Sequence, residues 1–200
     1  MSVAPVPAGR RERNKQAKLD RITTAAAELF AEHGVSEVTT QQIAEKADVG
    51  AGTLFLYAKT KGELLLMVQN AHYAEALGRG EADAAALTDG SESILAIVRQ
   101  IVECNRRQVE NGRTYLREMV FGDPAEPRHG EALAIVAQTE AAIARILRRA
   151  FLVTEGEAAI LAHVVSAIMF LCMAASVHAS SSVDEIILDI RQQIAAVLPR

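Results

Sequence analysis

Residues 39–64 read TTQQIAEKADVGAGTLFLYAKTKGEL, and their spacing decides the fold. Thr39 can cap a helix, and Gln42, three residues on, completes a Thr-x-x-Gln capping box. A short helix follows over residues 40–47. Asp48-Val49-Gly50 forms a tight turn, and residues 51–57 form a second short helix. Two short helices joined by such a Gly-containing turn make a helix-turn-helix. Ile43, Ala44, Val49 and Leu54 are spaced to wedge the pair apart from inside.

Upstream, Leu19, Ile22, Ala26, Leu29 and Phe30 recur at helical spacing in a helix predicted to start near Lys15 and stop at Gly34. Residues 1–14 carry Pro5, Pro7 and Gly9 with an Arg cluster, and read as a flexible basic arm. Downstream, the pattern predicts helices from Lys61 to about Arg79, over 91–111, 114–121 and 131–151, from Thr154 to about 178, and over 183–198. Gly78, Gly80 and Gly112 read as breaks. Thr154 and Glu157 form another capping box. No strand-like alternation persists. The fold class is all-α with about nine helices: a three-helix head over residues 15–60 and a helical body over 61–200.

The chain has 200 residues, half of them hydrophobic, which is ample for a core and excludes wholesale disorder. Its net charge of −4 excludes a generally basic coat. The average hides a polarity. Residues 1–61 hold nine basic and seven acidic side chains, and the rest hold twelve and eighteen. A basic amino-terminal arm on an acidic body suggests two tasks in one chain.

The stretch quoted above, with Ala27-Glu28-Leu29-Phe30-Ala31-Glu32-His33-Gly34 before it, resembles the DNA-binding signature of the tetracycline-repressor (TetR) family. The likeness covers roughly residues 18–66. It implies a homodimer that binds a palindromic double-stranded operator, usually as a repressor, and lets go when a small molecule enters the second domain. By motif position it places Thr40, Thr53, Tyr57 and Lys61 at phosphates, and Gln41, Ala51, Gly52 and Phe55 at base edges. The chain departs from the family pattern at Gly50, commonly Ser; at Ala51, often longer and polar; at Phe55, often Tyr; and at Ala58, usually Phe. Gln41 is then the main hydrogen-bonding reader of bases. Arg10, Arg11 and Arg13 are candidates for a minor groove.

The last two helices are the expected dimer contact, over about 157–178 and 183–198. Residues 158–177 carry no formal charge. They are long enough for a bilayer but interrupted by His163, Ser166 and Ser176, so they read as a helix buried in protein rather than a membrane span. Val183, Ile187, Ile190, Ile194 and Val197 step by four and three, as in a coiled-coil seam. A four-helix bundle across a two-fold axis satisfies both helices. Candidate effector contacts are Tyr73, Cys104, Tyr115, Met119, Phe121, Met169 and Cys172. Few cationic residues fall inside the apolar stretches of the body, which leans towards an apolar or neutral molecule. His163 reads as a core or interface histidine.

No nucleophile elbow, phosphate-binding Gly-rich loop or His-Glu-x-x-His motif occurs. The histidines show no metal-type pairing, and the two cysteines are far apart. The chain is therefore expected to be no enzyme, to need no cofactor or metal, and to work in a reducing, cytoplasmic compartment. The rival reading is a helical interaction or scaffold protein with degenerate DNA binding.

Overall fold

A computed structural model describes residues 9–199. Among them are nine α-helices and no strand. The first four are α1 (Arg10–His33), α2 (Thr40–Lys46), α3 (Ala51–Leu54) and α4 (Lys61–Ala85). The body continues with α5 (Gly90–Arg106), α6 (Val109–Phe121), α7 (Pro127–Ala150), α8 (Glu155–Ala174) and α9 (Val183–Val197).

Capping chemistry sets most boundaries. The Thr39–Gln42 and Thr154–Glu157 boxes are both formed, and Ser182 makes a third with Glu185. Pro127 opens α7, where its missing N–H costs nothing. Gly34 ends α1 at φ 77°, ψ 156°, a conformation essentially confined to glycine. A Cβ there would also lie 2.5 Å from a Glu110 carboxylate oxygen of α6.

Helix α4 packs on α1 at one end and on α5 and α7 along its length, so it belongs to both halves of the molecule. Helix α5 buries Ile94, Ile97, Val98, Ile101 and Val102, a single stripe at i, i+3, i+4, i+7 and i+8. Each such side chain contributes roughly 1.5–3 kcal/mol on burial. Helix α9 buries Ile186, Ile187, Ile190 and Ile194 against α5 and α8.

Several sequence expectations need correction. Helix α1 starts at Arg10, five residues before the predicted start, so Arg10, Arg11 and Arg13 lie on its first turn rather than in an arm. The rest of the arm, residues 1–8, lies outside the described residues. Gly78 and Gly80 are interior to α4, not a loop. Gly80 is a close-approach site, since a Cβ there would sit 2.7 Å from the Ile97 Cα of α5. The break predicted at Gly112 falls instead at Arg107-Gln108, where Gln108 caps α6 by accepting from the Asn111 N–H. Gly112 lies inside α6 with the Asn105 carbonyl directly over its Cα hydrogens, and the stretch 114–121 is simply the rest of that helix. In both cases glycine serves helix packing, a use that local patterning reads as punctuation.

The coiled-coil stripe of α9 is spent largely inside the chain: Ile187, Ile190 and Ile194 are buried, whereas Val197 is exposed. Helix α8 is long and apolar enough to cross a membrane. Here it buries Ala158, Ala162, Val165, Met169 and Cys172, and leaves Ile160, Ala167 and Leu171 facing out. His163 is not a core histidine. Its side chain is 75% exposed and meets Glu140 at 2.9 Å.

Candidate functional site

The helix-turn-helix is held from within by Ile43, Ala44 and Leu54, all buried. Val49 is half-buried beside them. Its turn takes the left-handed conformation at Asp48 (φ 51°), not at Gly50, which instead caps α3 in extended backbone. Asp is among the residues that tolerate this region. Asp48 also meets Arg21 of α1 at 3.1 Å, an exposed pair worth little by itself. Helix α3 is a single turn, extended through residue 58 by turn hydrogen bonds such as Ala58 N–H to the Leu54 carbonyl at 3.1 Å.

The outer surface carries the residues named from sequence. Gln41, Gly52 and Phe55 are exposed, and Thr40, Ala51, Thr53, Tyr57 and Lys61 are half-buried. Three of them already have partners. The Gln41 amide donates to Glu45 at 2.8 Å, a bond it must give up to reach a base. The Tyr57 hydroxyl donates to the Lys15 carbonyl at 3.3 Å and so ties α3 to α1. The Lys61 ammonium donates to the carbonyls of Ser36 and Val38 at 3.0 and 2.9 Å, leaving one of its three donors.

Beside this surface, the first turns of α1 and the end of the helix-turn-helix enclose an open cleft of about 970 Å³. Arg10, Arg11, Lys15 and Lys18 line one wall, and Thr53 and Tyr57 the other. Arginines on the first turn oppose the helix dipole, at about 0.3–1 kcal/mol each. A wall of cations that weakens its own helix suits a polyanion better than it suits stability. Lys15 and Lys18 escaped the sequence reading because only the docking of α1 on α3 brings them to Thr53.

A polar seam joins this head to the body. Asn111 of α6 is buried. Its side-chain oxygen accepts from the Val35 N–H at 2.7 Å, and its amide donates to the Phe30 carbonyl at 2.7 Å. Glu110 accepts from both the backbone and the hydroxyl of Ser36. Rotation of the head relative to α6 must break or carry these bonds.

The body holds an apolar cavity of about 250 Å³ among α4–α8. Tyr73 and Tyr115 stack across one wall with centroids 4.4 Å apart. Their hydroxyls are engaged by asparagines: Asn105 donates to Tyr73 at 2.8 Å, and Tyr115 donates to Asn70 at 3.0 Å. Burial pushes both phenols well above their ordinary range, so they remain neutral. Met119, Met169 and Met173 supply adaptable surface, and Ile135, Val136 and Thr139 come from α7. The Glu140–His163 pair stands where the lining reaches solvent.

Of the sequence candidates, Tyr73, Tyr115, Met119 and Met169 line this cavity, and Cys104, Phe121 and Cys172 do not. Cys104 is buried behind Tyr73 and Tyr115, and burial pushes its thiol up to about 11. Cys172 turns towards α9. Phe121 is 81% exposed and lines a separate open cleft of about 1010 Å³ between head and body, with Lys61, Arg113 and Arg117. Phe170 lines both the cavity and this cleft, as a partition between them. The α7 wall was missed because its stripe cannot be told from ordinary core by spacing.

The sequence profile of the bacterial regulatory proteins, tetR family, matches residues 22–68. A fatty acid metabolism regulator protein of Bacillus subtilis is 28% identical over 86 residues, a match that spans 43% of this chain and only 44% of that protein. Among solved structures, FadR of Thermus thermophilus, a TetR-family transcriptional repressor in complex with lauroyl-CoA, is 22% identical. It aligns over 90% of this chain and 92% of its own at a TM-score of 0.70. The transcriptional regulator FadR of Bacillus subtilis, in complex with stearoyl-CoA, is 16% identical over 88% and 97% of the two chains, with a TM-score of 0.64. The wedge of α2 and α3, the long bridging α4 and the helical body agree with these likenesses: residues 22–68 match the tetR family of bacterial regulatory proteins, and the chain shares the fold of these solved regulators.

Proposed function

We propose that the chain is a transcriptional repressor rather than an enzyme, acting in the cytoplasm as a homodimer on a palindromic duplex operator. A small molecule with an apolar chain releases it. The observation that carries this reading is physical continuity. A cation-walled helix-turn-helix face connects through α4 and the Asn111 seam to an apolar cavity in the body.

The head is α1–α3 and the effector and dimerisation body is α4–α9. Thr40, Thr53, Tyr57 and Lys61, joined by Lys15 and Lys18, hold phosphates; Gln41, Ala51, Gly52 and Phe55 meet base edges. The dimer face is the open side of α8 and α9, where Ile160, Leu171, Leu188 and Val197 are exposed. Two such pairs form a four-helix bundle that covers them.

At about 250 Å³ the cavity falls just below the small-molecule range of roughly 300–1,000 Å³, which suits a slender chain. The FadR relatives are bound to lauroyl-CoA and stearoyl-CoA. A fatty acyl thioester fits here with its chain in the cavity and its head past Phe170, in the open cleft where Arg113 and Arg117 stand beside Glu110 and Glu118. Occupation shifts the population towards a head spacing that no longer matches two half-sites.

The test is fluorescence anisotropy on an operator recovered by selection from genomic DNA. Lauroyl-CoA is expected to weaken binding at least tenfold, and coenzyme A alone to leave it unchanged. Lys15→Ala and Lys18→Ala should each lower the salt slope by about one. Binding to no duplex above the non-specific level refutes the repressor reading. Tight operator binding indifferent to every acyl chain length refutes the effector assignment alone.

A further inference from the structure

A second polar cluster lies away from the head and the cavity, where the end of α8 meets α9. Cys172 comes from the last turn of α8, His178 from the short 3-10 turn Ser176–His178, and Asp189 from the middle of α9. Their ligand atoms lie within 4.8 Å of one another. The same carboxylate oxygen, Oδ2 of Asp189, is 3.4 Å from Cys172 Sγ and 3.4 Å from His178 Nε2.

We propose that Cys172, His178 and Asp189 form a binding site for a zinc-class divalent transition-metal ion. Zinc takes thiolate at about 2.3 Å and imidazole or carboxylate at about 2.0 Å in tetrahedral geometry. The edges of that tetrahedron are about 3.5 Å for S···O and about 3.3 Å for N···O by the same bond lengths. The two edges that meet at Asp189 Oδ2 match them, and the third, from Cys172 Sγ to His178 Nε2, lies within 4.8 Å, so metal entry calls for closure of that edge alone. The donor set of one sulfur, one imidazole and one carboxylate selects zinc, cobalt or nickel over magnesium or calcium, which take oxygen ligands. Binding replaces the thiol proton, which leaves to solvent, and thiolate plus carboxylate then balance the ion's two charges. The fourth position remains open to water.

Two neighbours support the ligands. Gln193, one turn beyond Asp189, donates its amide to Cys172 Sγ at 3.4 Å and holds the sulfur in place. Arg106 of α5 donates one nitrogen to the carbonyls of His178, Ala179 and Ser181 at 3.1, 3.0 and 2.8 Å. That clamp fixes the loop carrying His178 before any ion arrives. The ion then staples α8 to α9, the pair with the open apolar face, and stabilises the native chain by mass action.

The test uses the untagged full chain, stripped of metal and titrated with Zn²⁺ and Co²⁺. Native mass spectrometry should find one ion per chain, and Co²⁺ should give a sulfur-to-cobalt charge-transfer band. Cys172→Ser should abolish the band, and His178→Gln should weaken affinity by at least about tenfold. Cys104→Ser should bind as the parent does. Circular dichroism checks that each variant is folded, and the partly exposed His178 offers a substitution that spares the core. No retained ion at micromolar Zn²⁺, or binding lost in Cys104→Ser but kept in Cys172→Ser and His178→Gln, overturns the proposal. None of these readouts depends on DNA or effector binding.

Discussion

Replacing Asn111 by Ala tests whether the head is held to the body by specific hydrogen bonds or merely rests on it. Asn111 makes two bonds of 2.7 Å to residues more than seventy positions away. Truncation leaves the Val35 N–H buried without a partner, which costs about 1–3 kcal/mol. The Phe30 carbonyl loses less, because it still accepts from the Gly34 N–H at 3.0 Å. Its share is the net value of one hydrogen bond, about 0.5–1.5 kcal/mol. Together the loss is about 3 kcal/mol. In a chain of this size each kcal/mol moves the melting temperature by about 2–4 °C, so a fall of roughly 6–12 °C is expected. Ser36→Ala, at an exposed position of the same seam, should change stability by less than about 0.5 kcal/mol. Urea melts of both variants, with slopes compared to the parent, measure these values. A change below about 0.5 kcal/mol for Asn111→Ala would falsify the idea that this side chain locks the two halves.

Three further outcomes are expected. Gly112→Ala and Gly80→Ala should each destabilise by about 1–3 kcal/mol, because the added Cβ meets backbone of α5, whereas Gly78→Ala, with open space around it, should stabilise by about 0.4–1 kcal/mol. Melts that rank the three alike would contradict the packing described for α4, α5 and α6. The Glu157 and Glu185 carboxylates are held below their ordinary range by the backbone N–H and then the hydroxyl of Thr154 and Ser182. Their contribution is present above the ordinary carboxylate value and is lost as pH falls through the depressed one. Glu157→Gln with Glu185→Gln should therefore flatten the acid limb of the stability profile, and an unaltered limb would count against the caps. Cys104, raised from 9.0 to about 11 chiefly by burial, should resist a thiol reagent at pH 8 until the chain unfolds. Its contribution to stability is present below pH 9 and disappears as pH rises towards 11. Rapid labelling of the native Cys172→Ser variant would show that Cys104 is accessible after all.

Where a boundary rests on chemistry within four residues, it was legible in the chain. Thr39, Gly34, Thr154 and the α9 start are of this kind, since a cap and the N–H it satisfies are sequence neighbours. Where a residue answers to a distant surface, local reading failed. Gly80 and Gly112 look like breaks but are close-approach sites. The α9 stripe looks like a subunit seam but packs mainly on α5 and α8. Phe121 and Cys172 look like cavity lining but face elsewhere, because helical spacing says that a side chain is apolar and not which neighbour it meets.

The sequence alone determined the helical class, the helix-turn-helix and the polarity of charge that separates head from body. Each follows from periodicity, capping or composition, which are properties of consecutive residues. Tertiary structure alone decided which cations face Thr53, which side chains enclose the cavity and how Asn111 reaches Val35. It also decided that Cys172, His178 and Asp189, six and eleven positions apart, meet at one point. These are relations between helix faces. A face is fixed only when two helices pack, so the contacts that carry coupling and ligands are written in no short stretch of the chain.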